Sequence, residues 1–150
     1  MQGLEQRAVK ALSAQQIADL KGGKGMGLAL AAELNGYPGP MHVLEHADSL
    51  KLTAQQRERT MALIATMKAE AILVGERLIE QETRLDQLFA KREITLAALA
   101  AVTTEIGATQ ALIREAHLKY HLAMMDVLSP DQLALYRSLR GYGGHQKRHQ

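Results

Sequence analysis

Thr60-Met61-Ala62-Leu63-Ile64-Ala65-Thr66-Met67-Lys68-Ala69-Glu70-Ala71-Ile72-Leu73-Val74-Gly75-Glu76-Arg77-Leu78 decides the fold. Ile64, Met67, Ala71, Val74 and Leu78 recur at spacings of three and four, the period of one helix face, and Leu85 and Leu88 continue the stripe. Gln81 interrupts it, and Glu76, Arg77, Glu80, Glu82 and Arg84 make up much of the solvated side. Upstream, Leu52-Thr53-Ala54-Gln55-Gln56 reads as a capping box, so the spacing predicts one long helix over about 54–90. Downstream, Lys91 to Ile94 is a short connector and Thr95 caps a second helix over about 96–128. Its inward residues are Leu99, Val102, Ile106, Ile113, Tyr120, Met124 and Val127. A connector this short makes the two helices, each ~50 Å long, run antiparallel as a hairpin. That register sets His117 and His121 opposite Ala65 to Ala69, and Met125 opposite Met61.

Shorter elements flank this hairpin. Ser13-Ala14-Gln15-Gln16 is a further capping box, and residues 4–20 hold two short helical pieces. Lys21-Gly22-Gly23-Lys24-Gly25-Met26-Gly27 is a flexible connector; a phosphate loop needs Ser or Thr after its Gly-Lys and a strand before it. Leu28 to Leu34 is an apolar helix ended by Asn35-Gly36, and Tyr37-Pro38-Gly39-Pro40 is a rigid turn. Pro40 starts a helix over roughly 41–50. Ser129-Pro130-Asp131-Gln132 is a third box, opening a helix to about Leu139. Gly141-Tyr142-Gly143-Gly144 and a basic tail with Lys147-Arg148-His149 follow. The domain reading is an extension over 1–40, a helical hairpin domain over 41–140 and a flexible tail over 141–150. Gly75 and Gly107 interrupt long helices and mark close packing; each costs about 1 kcal/mol against Ala.

Composition agrees with an all-α class. Aromatic residues are 3% of the chain, so the core is built from Leu, Ala, Ile, Val and Met, and sheets, which favour aromatic and β-branched residues, are disfavoured. The absence of cysteine excludes disulfides, thiolate metal sites and cysteine catalysis. The net charge is +2 with both signs interspersed, which gives no basic face for nucleic acid. No unbroken apolar run is long enough to span a membrane, and no signal peptide is visible.

Four of the six histidines fall in two pairs, His42 with His46 and His117 with His121, each at i, i+4 and therefore on one helix face. The connectivity tethers both pairs to the same end of the hairpin, with Met125 beside the second. Imidazole nitrogens and a thioether suit Zn, Ni, Co or Cu. Met61 and Met124 are core filler, and His145 and His149 belong to the tail. Enzyme readings fail at each test: Glu45 stands in the wrong place for a zinc-protease helix, and no serine sits in a nucleophile elbow. The sequence reads as non-enzymatic.

Leu12-Ser13-Ala14-Gln15-Gln16, Leu52-Thr53-Ala54-Gln55-Gln56 and Leu128-Ser129-Pro130-Asp131-Gln132 share one pattern. The second matches the LTxxQ motif and the third is close to it. With the hairpin, over roughly Met41 to Leu139, this resembles the periplasmic Spy/CpxP-like family of ATP-independent chaperones and zinc-associated stress proteins. It is also similar to the CnrX-like heavy-metal sensors. The sensor resemblance implies a metal site of His42, His46, His121 and Met125, with His117 additional. The sensors' carboxylate has no clear counterpart; Glu58 and Glu70 are the nearest acids in sequence. The resemblance also implies a periplasmic location, the export or anchor segment lying outside this sequence, and a homodimer, for which Leu63, Leu73, Ile79 and Leu112 leave room. The leading expectation is a transition-metal-binding protein of heavy-metal sensing, resistance or envelope stress, read by a membrane-bound regulatory partner. The alternative is a holdase for unfolded client proteins.

Overall fold

The computed structural model describes residues 3–141. The chain is all-helical: a 3-10 turn at Leu4–Gln6 precedes α1 (Ala14–Lys21), α2 (Leu30–Glu33), α3 (Pro40–Glu45), α4 (Ala54–Ala90), α5 (Leu96–Met124) and α6 (Pro130–Arg140). Among the described residues there is no strand, only an isolated bridge between Val9 and Leu12. The two long helices α4 and α5 pack together, and their contacts group into two compact units. One unit joins the chain up to Met26 to Lys68–Ala116; the other joins Gly27–Met67 to the chain from His117 onward. Residues 1–40, expected as an extension, are thus divided between the units. The expected features at Tyr142 to Gln150, including His145 and His149, lie outside the described residues.

The first unit is cored by Val9, Leu12, Leu20, Ala71, Val74, Leu78, Val102, Ile106 and Ile113, all buried. The three-four stripe of α4 explains Ala71, Val74 and Leu78. The N-terminal residues come in through α1, whose capping box is formed by Ser13 and Gln16. Its C-terminal turn lies against α4 so closely that a Cβ on Gly75 would stand 2.7 Å from the Leu20 carbonyl oxygen. Lys10 is held twice by Asp86, its amide at 3.0 Å and its Nζ at 3.8 Å from Oδ2. Arg84 pairs with Glu105 at 3.9 Å. Burial raises the carboxyl of Glu82 above its ordinary value of 4.5.

The second unit is built on Val43, Ala47, Leu50, Leu52, Met124, Val127, Leu128 and Tyr136, with Leu63 and Leu133 packed against them. Two of the three capping boxes meet here. Gln56 Oε1 accepts from Thr53 N, as a capping box requires, and Gln132 Oε1 likewise accepts from Ser129 N. The two carboxamides also bond each other in both directions, at 2.8 and 3.0 Å. Their remaining N–H groups donate to the carbonyls of Val127 and Leu50, at 2.9 and 3.1 Å. Each carboxamide thereby uses two donors and accepts twice, the full set for this group. The recurring glutamine is therefore a clasp joining α4 to α6 as well as a cap.

Two helices end earlier than expected. α3 stops at Glu45, with His46 as its C-cap, and the chain turns through to Lys51, whose φ of 55° is left-handed. α5 stops at Met124, and turns carry Met125 to Val127 into the α6 cap. In both places a buried residue, Leu50 or Val127, is placed by a turn, and the apolar spacing alone reads as continued helix.

Candidate functional site

The site lies in the second unit and is centred on a residue the histidine pattern does not reveal. Glu33 closes α2 and is buried, while Leu30 and Leu34 on the same short helix are 54% and 52% exposed. This helix is inside out. The Glu33 carboxylate accepts from the Gly39 amide at 3.1 Å through Oε2 and from the Tyr136 hydroxyl through Oε1. Arg140 Nε lies 3.4 Å from Oε1, and His121 Nδ1 lies 3.8 Å from Oε2. A buried carboxylate is tolerated only when hydrogen-bonded and paired, and these groups supply both conditions. Each carboxylate oxygen thus accepts one hydrogen bond and faces a second basic group, so the group is built as a clamp rather than as a base waiting for substrate.

The histidines surround this clamp in different states. His121 is buried; its Nδ1 lies 2.8 Å from the Tyr37 carbonyl oxygen, to which only a protonated Nδ1 can donate. In the neutral ring that contact leaves the lone pair on Nε2. The Cε1–Nε2 edge packs on Gly39, where a Cβ would stand 2.9 Å from Cε1 and 3.1 Å from Nε2. His117 is also buried, and its pKa is lowered from the ordinary 6.5, first by desolvation and then by the charge of His121. His42 is partly exposed and has two exclusive partners. Protonated at Nδ1 it donates to Glu45 at 3.2 Å; with a lone pair there it accepts from Arg140 Nη1 at 3.3 Å. His46 sets its ring edge-on to Tyr136, with centroids 6.4 Å apart. Met125 sits half-buried in the turn after α5.

The four paired histidines and Met125 share one unit. Among the described residues, however, no group of three or more His, Asp or Glu is gathered in a form that could hold a metal ion. Besides Glu45, one helical turn from His42, the partners that take up the rings are a backbone carbonyl, a guanidinium and a tyrosine distant in the chain, which spacing cannot reveal. Sequence reasoning missed Glu33, Tyr136 and Arg140. The signal available was a lone carboxylate within the apolar stretch Leu28 to Leu34.

No family model, curated protein or solved structure matches this chain.

The lowered pKa of His117 has a consequence for stability. Above pH 6.5 the group is neutral in both the folded and unfolded states and contributes nothing. Below 6.5 the unfolded chain binds the proton first, so unfolding gains until the lowered folded pKa is passed. Chelator-treated protein should therefore lose more stability from pH 7 to pH 5 than its His117→Gln variant. Denaturant melts at both pH values check this, and equal slopes would show that His117 is not the group responsible.

Proposed function

We propose that this chain is an ATP-independent holdase of the Spy/CpxP type, a periplasmic helical hairpin that offers apolar helix surface to unfolded clients. The observation that carries the reading is α5. An 18-residue window of this helix has a mean hydropathy of 1.4, yet only 22% of that window is buried. By length and composition α5 could cross a membrane, although the sequence holds no unbroken apolar run of that length. Its buried stripe of Val102, Ile106 and Ile113 is narrow, and Leu96 and Leu112 stand 83% and 42% exposed. In the same unit, α4 exposes Leu73 at 62% and Phe89 at 53%. Apolar side chains set among exposed charges such as Glu105, Arg114 and Glu115 suit weak, unselective capture of partly unfolded chains.

The test is suppression of light scattering by an aggregating client enzyme, without nucleotide. Suppression at near-equimolar ratio is the expected result, reduced several-fold in Leu73→Ser with Leu112→Ser. No suppression by the parent chain would reject the reading.

A second reading, transition-metal binding through His42, His46, His117, His121 and Met125, is favoured by one observation. A histidine that donates Nδ1–H to a carbonyl, as His121 does, is in the tautomer by which Nε2 ligates a metal. Against it stand the packing of Nε2 on Gly39 and the Arg140 guanidinium beside His42, since both must give way to an ion. The same preparation separates the readings. A shared site at 100 times its dissociation constant should add ~2.7 kcal/mol to stability, and that gain should vanish in His42→Ala and in His121→Ala. A metal effect on melting without client suppression would favour sensing.

A further inference from the structure

We propose that residues 27–37 form a strap over Tyr136 and His121, closed by the single carboxylate of Glu33, and that its opening regulates client access to the second unit. The inference rests on the holdase reading for its function, but its structural part stands on four observations.

First, between Gly27 and Tyr37 the one buried residue is Glu33. Leu30, Leu34 and Tyr37 are exposed and Leu28 is only half-buried, so no fully buried apolar side chain anchors the segment. Second, the two glycines that bracket α2 are left-handed, Gly27 at φ 74° and Gly36 at φ 87°. These are positions where the chain can redirect at little steric cost. Third, the following residues are fixed: Pro38, Gly39 and Pro40 are buried, and Pro40 is the first residue of α3. Motion of the strap therefore stops at a firm anchor. Fourth, the strap lies against a residue of the apolar core. Tyr136 is 1% exposed and belongs to the core with Val43 and Met124. Its hydroxyl end is covered by Glu33, and His121 is tied to the Tyr37 carbonyl.

An ordinary amphipathic helix on this body would turn Leu30 and Leu34 inward. The reverse arrangement means that attachment depends chiefly on polar contacts, and those of Glu33 with Gly39, Tyr136, Arg140 and His121 act over short distances and are lost together when Glu33 leaves. Local opening of such a segment requires far less than global unfolding. Once open, it bares the Tyr136 edge of the core to an apolar client segment, beside Leu30 and Leu34, which are exposed already.

Hydrogen exchange tests the strap without any client. The reporters are the amides of Glu33, Leu34, Asn35 and Tyr37, which bond to Ala29, Leu30 and Ala32 within the segment. In the parent protein they should exchange at least tenfold faster than the central amides of α4. Glu33→Gln, which removes the charge that Arg140 and His121 face, should speed them a further tenfold while leaving α4 and the Val43 amide unchanged. The same variant should suppress client aggregation at a several-fold lower ratio. Strap amides that exchange in step with α4 in the parent protein would overturn the proposal, whether or not the variant folds. So would an opened strap with unaltered suppression. Failure of both proteins to suppress aggregation would overturn the holdase reading, and with it the regulatory role; the exchange pattern, read without client, tells that failure from failure of the strap itself.

Discussion

Gln56→Ala should lower stability by about 3 kcal/mol, and Gln16→Ala by less than about 1 kcal/mol, although both residues occupy the same place in a capping box. Gln16 serves its own cap: its Oε1 accepts from Ser13 N at 2.8 Å on an exposed helix end. Removing it costs one local bond that water replaces. Gln56 accepts from Thr53 N at 3.0 Å, donates to Val127 O at 2.9 Å, and exchanges two bonds with Gln132. Its loss leaves the Val127 carbonyl and half of the Gln132 carboxamide unpaired in a part-buried place. An unsatisfied buried group costs about 1–3 kcal/mol, more than the net worth of a bond. For a chain of this size the fall should be roughly 6–12 °C in melting temperature, at about 2–4 °C per kcal/mol. Gln132→Ala should behave alike, and the double variant should lose little beyond either single one. Such non-additivity is the signature of groups that act on each other. Additive losses of less than about 1 kcal/mol each would mean that the two glutamines are only caps and the clasp carries no stability.

The helices of this chain are legible in its sequence because their cause is local. Met67, Ala71, Val74 and Leu78 are buried at the spacing that predicts α4, and Val102, Ile106 and Ile113 do the same for α5. Capping boxes are local too, so α1 and α6 start where Ser13 and Ser129 place them. What the sequence hides is anything set by contacts distant in the chain. Gln56 looks fully explained by its own box, and nothing in that box reveals that its second lone pair serves Gln132. Glu33 looks like the polar residue of an apolar helix, and nothing near it in the chain tells which way it faces. Its true direction depends on Tyr136 and Arg140, a hundred or so residues later, which offer it a hydrogen bond and a charge. The histidine pairs show both sides of this. Spacing brings His117 and His121 to one face of α5, and both are buried. The state of each ring is then decided by Tyr37, Arg140 and Gly39, which spacing cannot show.

Alanine at Gly75 and at Gly107 should change stability in opposite directions. Both glycines lie inside long helices, where exchange for Ala is worth about 1 kcal/mol in favour of the variant if space allows. At Gly107 it does: a Cβ there meets nothing within 4 Å. Gly107→Ala should therefore stabilise by about 1 kcal/mol and raise the melting temperature by about 2–4 °C. At Gly75 the added Cβ stands 2.7 Å from the Leu20 carbonyl oxygen and 3.2 Å from its carbon. These are backbone atoms and cannot rotate away, so the C-terminal turn of α1 must move. Leu20 is 4% exposed and part of the first unit's core, so the movement loosens Val9 and Leu12 with it. Overpacking of this kind costs about 1–3 kcal/mol. The helix preference recovers part, and a net loss of about 1–2 kcal/mol remains. Denaturant melts of the two variants decide the matter, and hydrogen exchange in α1 should quicken only in Gly75→Ala. If both variants gain, α1 does not hold the close approach to α4. If Gly107→Ala loses stability in a concentration-dependent way, the open face of α5 is covered by a second copy in solution, and its glycine serves packing between chains.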